Sequence, residues 1–129
     1  MRAEIISVGT ELLLGEIIDT NAAFLSQELA ALGIELYHRT TVGDNEQRLK
    51  QALIEALARA DLVVTSGGLG PTADDLTKET VAAVLGLPLV LDRPSLLWIK
   101  EYFARMNKEM TVNNQKQAMI PAGGEALPN

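Results

Sequence analysis

Leu62-Val63-Val64-Thr65-Ser66-Gly67-Gly68-Leu69-Gly70-Pro71-Thr72-Ala73-Asp74-Asp75-Leu76-Thr77 is the stretch that sets the fold class of this 129-residue chain. Its first four residues form a short continuous apolar run, which suits a central parallel strand covered on both faces. Three glycines and a proline then break the run. A helix is expected over 76–85, stopped by Gly86 with Pro88 just beyond.

The alternation of strand and helix continues on both sides. Upstream, Glu4-Ile5-Ile6-Ser7-Val8 reads as a strand ending at Gly9. Residues 9–21 read as a long β-to-α connection closed by Asp19, Thr20 and Asn21. A helix is expected over 22–32, with Leu25, Leu29 and Leu32 on its apolar face and Gly33 as its stop. A second strand over 34–42 leads through Gly43-Asp44-Asn45 into a helix over 46–59, whose buried stripe is Leu49, Leu53 and Leu57. Downstream, 89–91 forms a small strand or an extended link. A long helix follows over 95–107, lined by Leu96, Ile99, Phe103 and Met106. A short helix over 112–119 ends at Pro121, and the tail 122–129 is turn-rich. The pattern predicts one α/β domain over residues 1–129, with a mostly parallel sheet and helices on both faces, a three-layer α/β/α sandwich.

Composition narrows the function. The chain has no cysteine, which excludes disulfides, thiolate zinc sites and thiol catalysis. Its formal net charge is −6 and no basic cluster is visible, so nucleic acid is not an expected partner. No stretch approaches the roughly 20 apolar residues of a membrane span, and no signal-peptide core is seen. A cytoplasmic protein is expected. A small phosphorylated ligand remains compatible with the negative charge, because backbone N–H groups and a divalent metal offset it.

The glycine segment carries the chemistry. It follows a strand predicted to be central, where open α/β sheets bind ligands. Gly67, Gly68 and Gly70 let the backbone approach a ligand closely, and the helix start beyond them offers N–H groups to phosphate. No Lys-Ser/Thr follows the glycines, so this is not a P-loop, and the spacing of a dinucleotide fingerprint is absent. An ordinary tight turn capped by Thr72, Asp74 or Thr77 is the competing reading. Asp74 and Asp75 either complement the helix dipole or face the cleft as ligands for Mg²⁺, which takes one or two carboxylates plus substrate oxygens. Asp44 either caps a helix or shares the cleft with Asp75. Thr10, Glu11, Asp19 and Asn21 form a self-satisfied polar loop or hold a ribose, base or pterin ring. His38 reads as structural, Trp98, Tyr102 and Phe103 as packing residues, and Arg39, Lys78 and Lys116 as lone solvated cations.

Three motifs in order resemble those of a known family. Gly9-Thr10-Glu11-Leu12-Leu13-Leu14-Gly15-Glu16-Ile17-Ile18-Asp19-Thr20-Asn21 is similar to its opening motif, Val42-Gly43-Asp44-Asn45 to its second, and Ser66 through Thr77 to its third. The chain thus resembles the N-terminal domain of the CinA (competence/damage-inducible protein A) family, within the molybdopterin-binding superfamily. The resemblance implies the MogA/MoaB-like fold, a cleft at the carboxyl ends of the strands, and metal-dependent hydrolysis of the diphosphate of ADP-ribose or a related nucleotide. On that reading Asp44 and Asp75 are catalytic and, with Asp74, hold the metal, expected to be Mg²⁺. Gly9, Thr10, Glu11, Asn21, Ser66, Gly67, Gly68, Gly70, Thr72 and Thr77 bind the substrate. No tightly bound organic cofactor is expected, and a homo-oligomer is. Two departures bear on this. Asp74 stands where adenylyltransferase members carry arginine, and family members continue beyond Leu127-Pro128-Asn129, so this domain is expected to lack its C-terminal part. The alternative is a non-catalytic pterin- or nucleotide-binding or oligomerisation module of a larger protein.

Overall fold

The computed structural model describes residues 1–128. Its centre is β1 (Arg2–Val8), whose residues Ala3 to Val8 are all buried. Alternate side chains of a strand point to opposite faces. Ala3 and Ile5 accordingly pack on Ala22 and Leu29 of α2 (Thr20–Ala31). Ile6 and Val8 pack on Leu49, Leu53 and Ala56 of α3 (Glu46–Arg59). One strand thus organises both cores, and the helices lie on opposite faces of the sheet. Glu4 is the one charged residue in this row, and Arg59 at the end of α3 pairs with it through Nε and Nη2.

β2 (Glu35–Val42) and β3 (Leu62–Ser66) pair with β1 on either side, both parallel, in the order β2-β1-β3. The β1–β3 register runs from Ala3 opposite Leu62 to Ser7 opposite Ser66. The expectation of a central, doubly covered strand at 62–65 is therefore corrected. Among the described residues β3 pairs only with β1, and all five of its residues are half-buried. Continuous apolar character is shared by β1 and β3, and composition alone does not say which of them is flanked on both sides.

A short helix, α1 (Thr10–Leu13), occupies part of the stretch expected to be an irregular connection. After β3, α4 (Thr77–Leu85) packs beside α3 and ends at Gly86 in the left-handed conformation. β4 (Leu89–Leu91) pairs antiparallel with β5 (Met119–Pro121), a strand where the sequence predicts the end of a helix stopped by Pro121. Between them lie α5 (Arg93–Arg105), α6 (Val112–Gln115) and a single 3-10 turn at Lys116–Ala118. Three expected core residues are displaced. Leu32 is 73% exposed at the end of α2, Leu57 is 43% exposed while Ala56 is buried, and Met106 is 51% exposed. No residue of α5 is fully buried, because this helix packs against the 3-10 turn rather than across the sheet. Among the described residues no helix is long and apolar enough to cross a membrane.

Candidate functional site

Because β1, β2 and β3 run parallel, their carboxyl ends share one edge of the sheet. The connections leaving them build the site. Gly9 N–H donates to Val42 O at 2.9 Å, tying the first two ends together. Thr10 Oγ1 donates to Asp44 Oδ2 at 3.2 Å, and Asp44 N–H donates to Thr10 Oγ1 at 3.1 Å. Asp44 does not cap α3. That role falls to Asn45, which accepts from Arg48 N–H at 3.0 Å. Asp44 is thereby left exposed at the strand edge.

The glycine loop turns back over β1. Gly67 has φ +93°, and a Cβ there would lie 2.1 Å from Val8 O. Gly68 has φ +68°, and its Cβ would lie 2.1 Å from Thr77 Oγ1. These two positions admit no side chain. Thr77 is buried, its hydroxyl donates to Gly67 O at 2.8 Å, and its N–H donates to Gly68 O at 3.1 Å. Its side chain braces the loop from beneath. Neither Asp74 nor Asp75 caps α4, whose N-cap is Leu76 with no side-chain bond. The first turn of α4 therefore keeps N–H groups without a side-chain acceptor, the feature that suits an anion.

Asp75 folds into the loop instead. Its Oδ2 accepts from Thr72 Oγ1 at 2.6 Å and from Thr72 N–H at 3.0 Å. The Thr72 hydroxyl above all holds the Asp75 carboxyl below the usual carboxylate range. Partial burial opposes it, and the N–H groups of Thr72 and Gly70 and the Lys116 charge add to it. Asp75 is thus ionised at neutral pH, the form in which a carboxylate ligates a cation. Asp74 is exposed.

The remaining residues gather at the same edge. Asn21, at the start of α2, donates from Nδ2 to Ser66 Oγ at 3.4 Å. Asp19 caps that helix, accepting from Ala22 N–H at 3.0 Å. Glu11 curls over Gly9, where a Cβ would come within 2.7 Å of its Oε1. β2 and β3, the strands that precede Asp44 and Asp75, lie on either side of β1 and so roughly 10 Å apart. Among the described residues no group of three or more His, Cys, Asp or Glu side chains is placed to hold a metal. Mg²⁺ needs only one or two carboxylates and completes its shell with phosphate oxygens and water.

Two residues read from the sequence as lone cations belong to the loop's support. Lys116 Nζ donates to Thr72 O at 2.9 Å and to Asp75 O, and Lys78 Nζ donates to Lys116 O. Burial lowers the Lys78 ammonium from its ordinary value. Nothing in the sequence joins Lys116 to a loop 41 residues earlier. His38 and Arg39 are exposed on β2. A groove of about 560 Å³ along α5, lined by Trp98, Ile99, Tyr102 and Phe103, includes none of the glycine-loop residues.

Comparison with known proteins agrees with this architecture. The family described as “Probable molybdopterin binding domain” matches residues 4–125. A competence-damage inducible protein from Caldanaerobacter subterraneus subsp. tengcongensis is 57% identical over 129 residues, covering all of this chain and 31% of the relative. One from Geobacillus kaustophilus is 58% identical over the same length and share. The chain thus spans about a third of the length of the curated relatives it matches. The crystal structure of the protein CinA from Thermoplasma acidophilum superposes with a TM-score of 0.84 at 38% identity, covering 94% of this chain and 70% of that one. The molybdopterin biosynthesis enzyme MoaB from Thermus thermophilus gives 0.60 at 29% identity, covering 71% and 55%. A strand-edge site with these motifs, on a mostly parallel α/β sheet matched by both structures, places the chain in the molybdopterin-binding domain family, among the CinA competence-damage inducible proteins.

Proposed function

We propose that this domain binds the diphosphate of a nucleotide at residues 66–77 and hydrolyses it with the help of a divalent metal. ADP-ribose is the substrate that the CinA resemblance suggests. The observation that carries the reading is the uncapped start of α4 beneath a loop whose two central positions admit only glycine. Backbone N–H groups of Gly67 and Gly68, together with those of the helix start, would supply donors to the phosphates, while the Gly70 N–H serves the Asp75 carboxylate. Thr10, Glu11, Asn21 and Ser66 border the same edge and would hold the rest of the nucleotide. Thr72 serves through Asp75, whose carboxylate it orients. Asp44 and Asp75, with Asp74 nearby in the chain, are the residues that would hold Mg²⁺. Bound there, the metal would polarise the phosphorus centre and activate water. A cytoplasmic homo-oligomer completes the reading.

The test is turnover of ADP-ribose with Mg²⁺ by the wild type and by Asp44→Ala and Asp75→Ala. Each variant is expected to lose about a hundredfold or more in kcat/KM. Retention of turnover in both would sink the metal–aspartate mechanism. A second reading is a binding module without catalysis. It is favoured by the engagement of both carboxylates with threonines, Asp44 with Thr10 and Asp75 with Thr72. Nucleotide binding by calorimetry with no turnover in the wild type would select it.

A further inference from the structure

We propose that Lys116 is a positioning residue for the glycine loop, setting the place of the Asp75 carboxylate and of the loop N–H groups without itself contacting the ligand. The proposal deepens the diphosphate reading and rests on it only for the consequence to ligand binding. Lys116 stands on the 3-10 turn that leads into β5. That turn is fixed from behind. Asp92 N–H donates to Ala118 O at 2.9 Å, and Lys78 Nζ holds Lys116 O. From this base the Lys116 ammonium reaches the carbonyls of Thr72 and Asp75, the first and last residues of one four-residue turn. Inside the same turn, Thr72 holds the Asp75 carboxylate, and Asp75 N–H donates to Thr72 O at 3.2 Å. The turn is thus tied internally by threonine and externally by lysine.

An ammonium has three donors and no acceptor. Two serve the carbonyls, and the third has the Glu79 carboxylate for company, with Oε1 3.6 Å from Nζ. The other oxygen of Glu79 is buried with no hydrogen-bond partner among the described residues. Removing the Lys116 charge would leave both carbonyls without their donor and Glu79 with only the neighbouring Lys78 charge. A neutral side chain cannot replace the arrangement, because charge-assisted bonds of this kind are the stronger ones.

The chain lacks cysteine, which makes a charge-restoration experiment clean. In this 129-residue chain, Lys116→Cys removes the ammonium. Alkylation of that single thiol with 2-bromoethylamine then rebuilds a side chain of lysine length ending in an ammonium. Amide hydrogen exchange over residues 69–76 is expected to rise about tenfold or more in the thiol form and to return to the wild-type rate after alkylation. Exchange in β1 and α3 stays unchanged. Affinity for inorganic pyrophosphate with Mg²⁺ is expected to fall by about the same factor and to recover with alkylation. Unchanged loop exchange in the thiol form, an equal rise throughout β1 and α3, or no recovery on alkylation would each overturn the proposal. So would pyrophosphate affinity that ignores the substitution. A wild type that binds no pyrophosphate, with loop exchange behaving as expected, overturns the diphosphate reading alone and leaves Lys116 as the loop's clamp.

Discussion

Glycines in this chain are not equivalent. Gly67 and Gly86 both have positive φ, but only Gly67 faces a neighbour, the carbonyl of Val8. Gly86 has nothing within 4 Å of its missing Cβ. Gly86→Ala therefore meets only the left-handed penalty of about 1–2 kcal/mol. Gly67→Ala meets backbone strain and a collision, and its cost is expected to exceed that of Gly86→Ala by about 2 kcal/mol or more, read from urea unfolding midpoints. A second contrast concerns Asp75. Its carboxyl is held below its ordinary value of 3.8, so the Thr72 bonds stabilise the fold fully above about pH 4. That contribution is lost as pH falls through the folded-state pKa. In metal-free buffer, the stability advantage of the wild type over Asp75→Asn is expected to be constant from neutral pH down to about 4 and to shrink below it. An advantage that grows on acidification would mean the hydrogen-bonded carboxylate is not the stabilising form.

At the scale of elements, α3 shows what pattern reading captures and where it stops. Its span was legible to the residue, because Asn45 caps it and its apolar period is regular. The identity of the buried residue in its last turn was not. Ala56 takes the core position and Leu57 is turned toward a small cavity of about 170 Å³ shared with Val81, Val84 and Leu85. Both residues fit the apolar stripe, and a difference of 100° around the helix is decided by the neighbour α4. Leu53→Ala is expected to cost about 2–4 kcal/mol, and Leu57→Ala less than half of that, in denaturant titrations of the two variants. Equal costs would restore the simple stripe. The site divides in a similar way. Motif residues at the strand ends were readable, since a strand followed by glycines must leave the sheet there. Lys116 was not, because its role comes from a long-range antiparallel pair whose second strand is three residues long. Pro121 masked that strand, since proline is tolerated at a strand end and was read as a helix stop.

The whole molecule sets two opposing forces on β3. Its outer edge is unpaired among the described residues, and Val63 and Val64 make it apolar. Such an edge is a template for pairing with a second chain. The formal charge of −6 opposes this by keeping copies apart. That repulsion acts over a Debye length of about 30 Å at 0.01 M salt and about 8 Å at 0.15 M. Edge pairing depends on backbone bonds and apolar contact, and salt weakens neither. Association through β3 is therefore expected to rise with ionic strength, the reverse of an interface held by opposite charges. Light scattering across that salt range checks the sign. Val64→Lys places a cation on the half-buried strand, where pairing would have to desolvate it. It is expected to abolish the salt-induced rise while leaving the far-ultraviolet circular dichroism of the monomer unchanged. Persistence of the rise in Val64→Lys would move the contact elsewhere, with the exposed apolar residues Ile17, Ile18 and Phe24 the next surface to substitute.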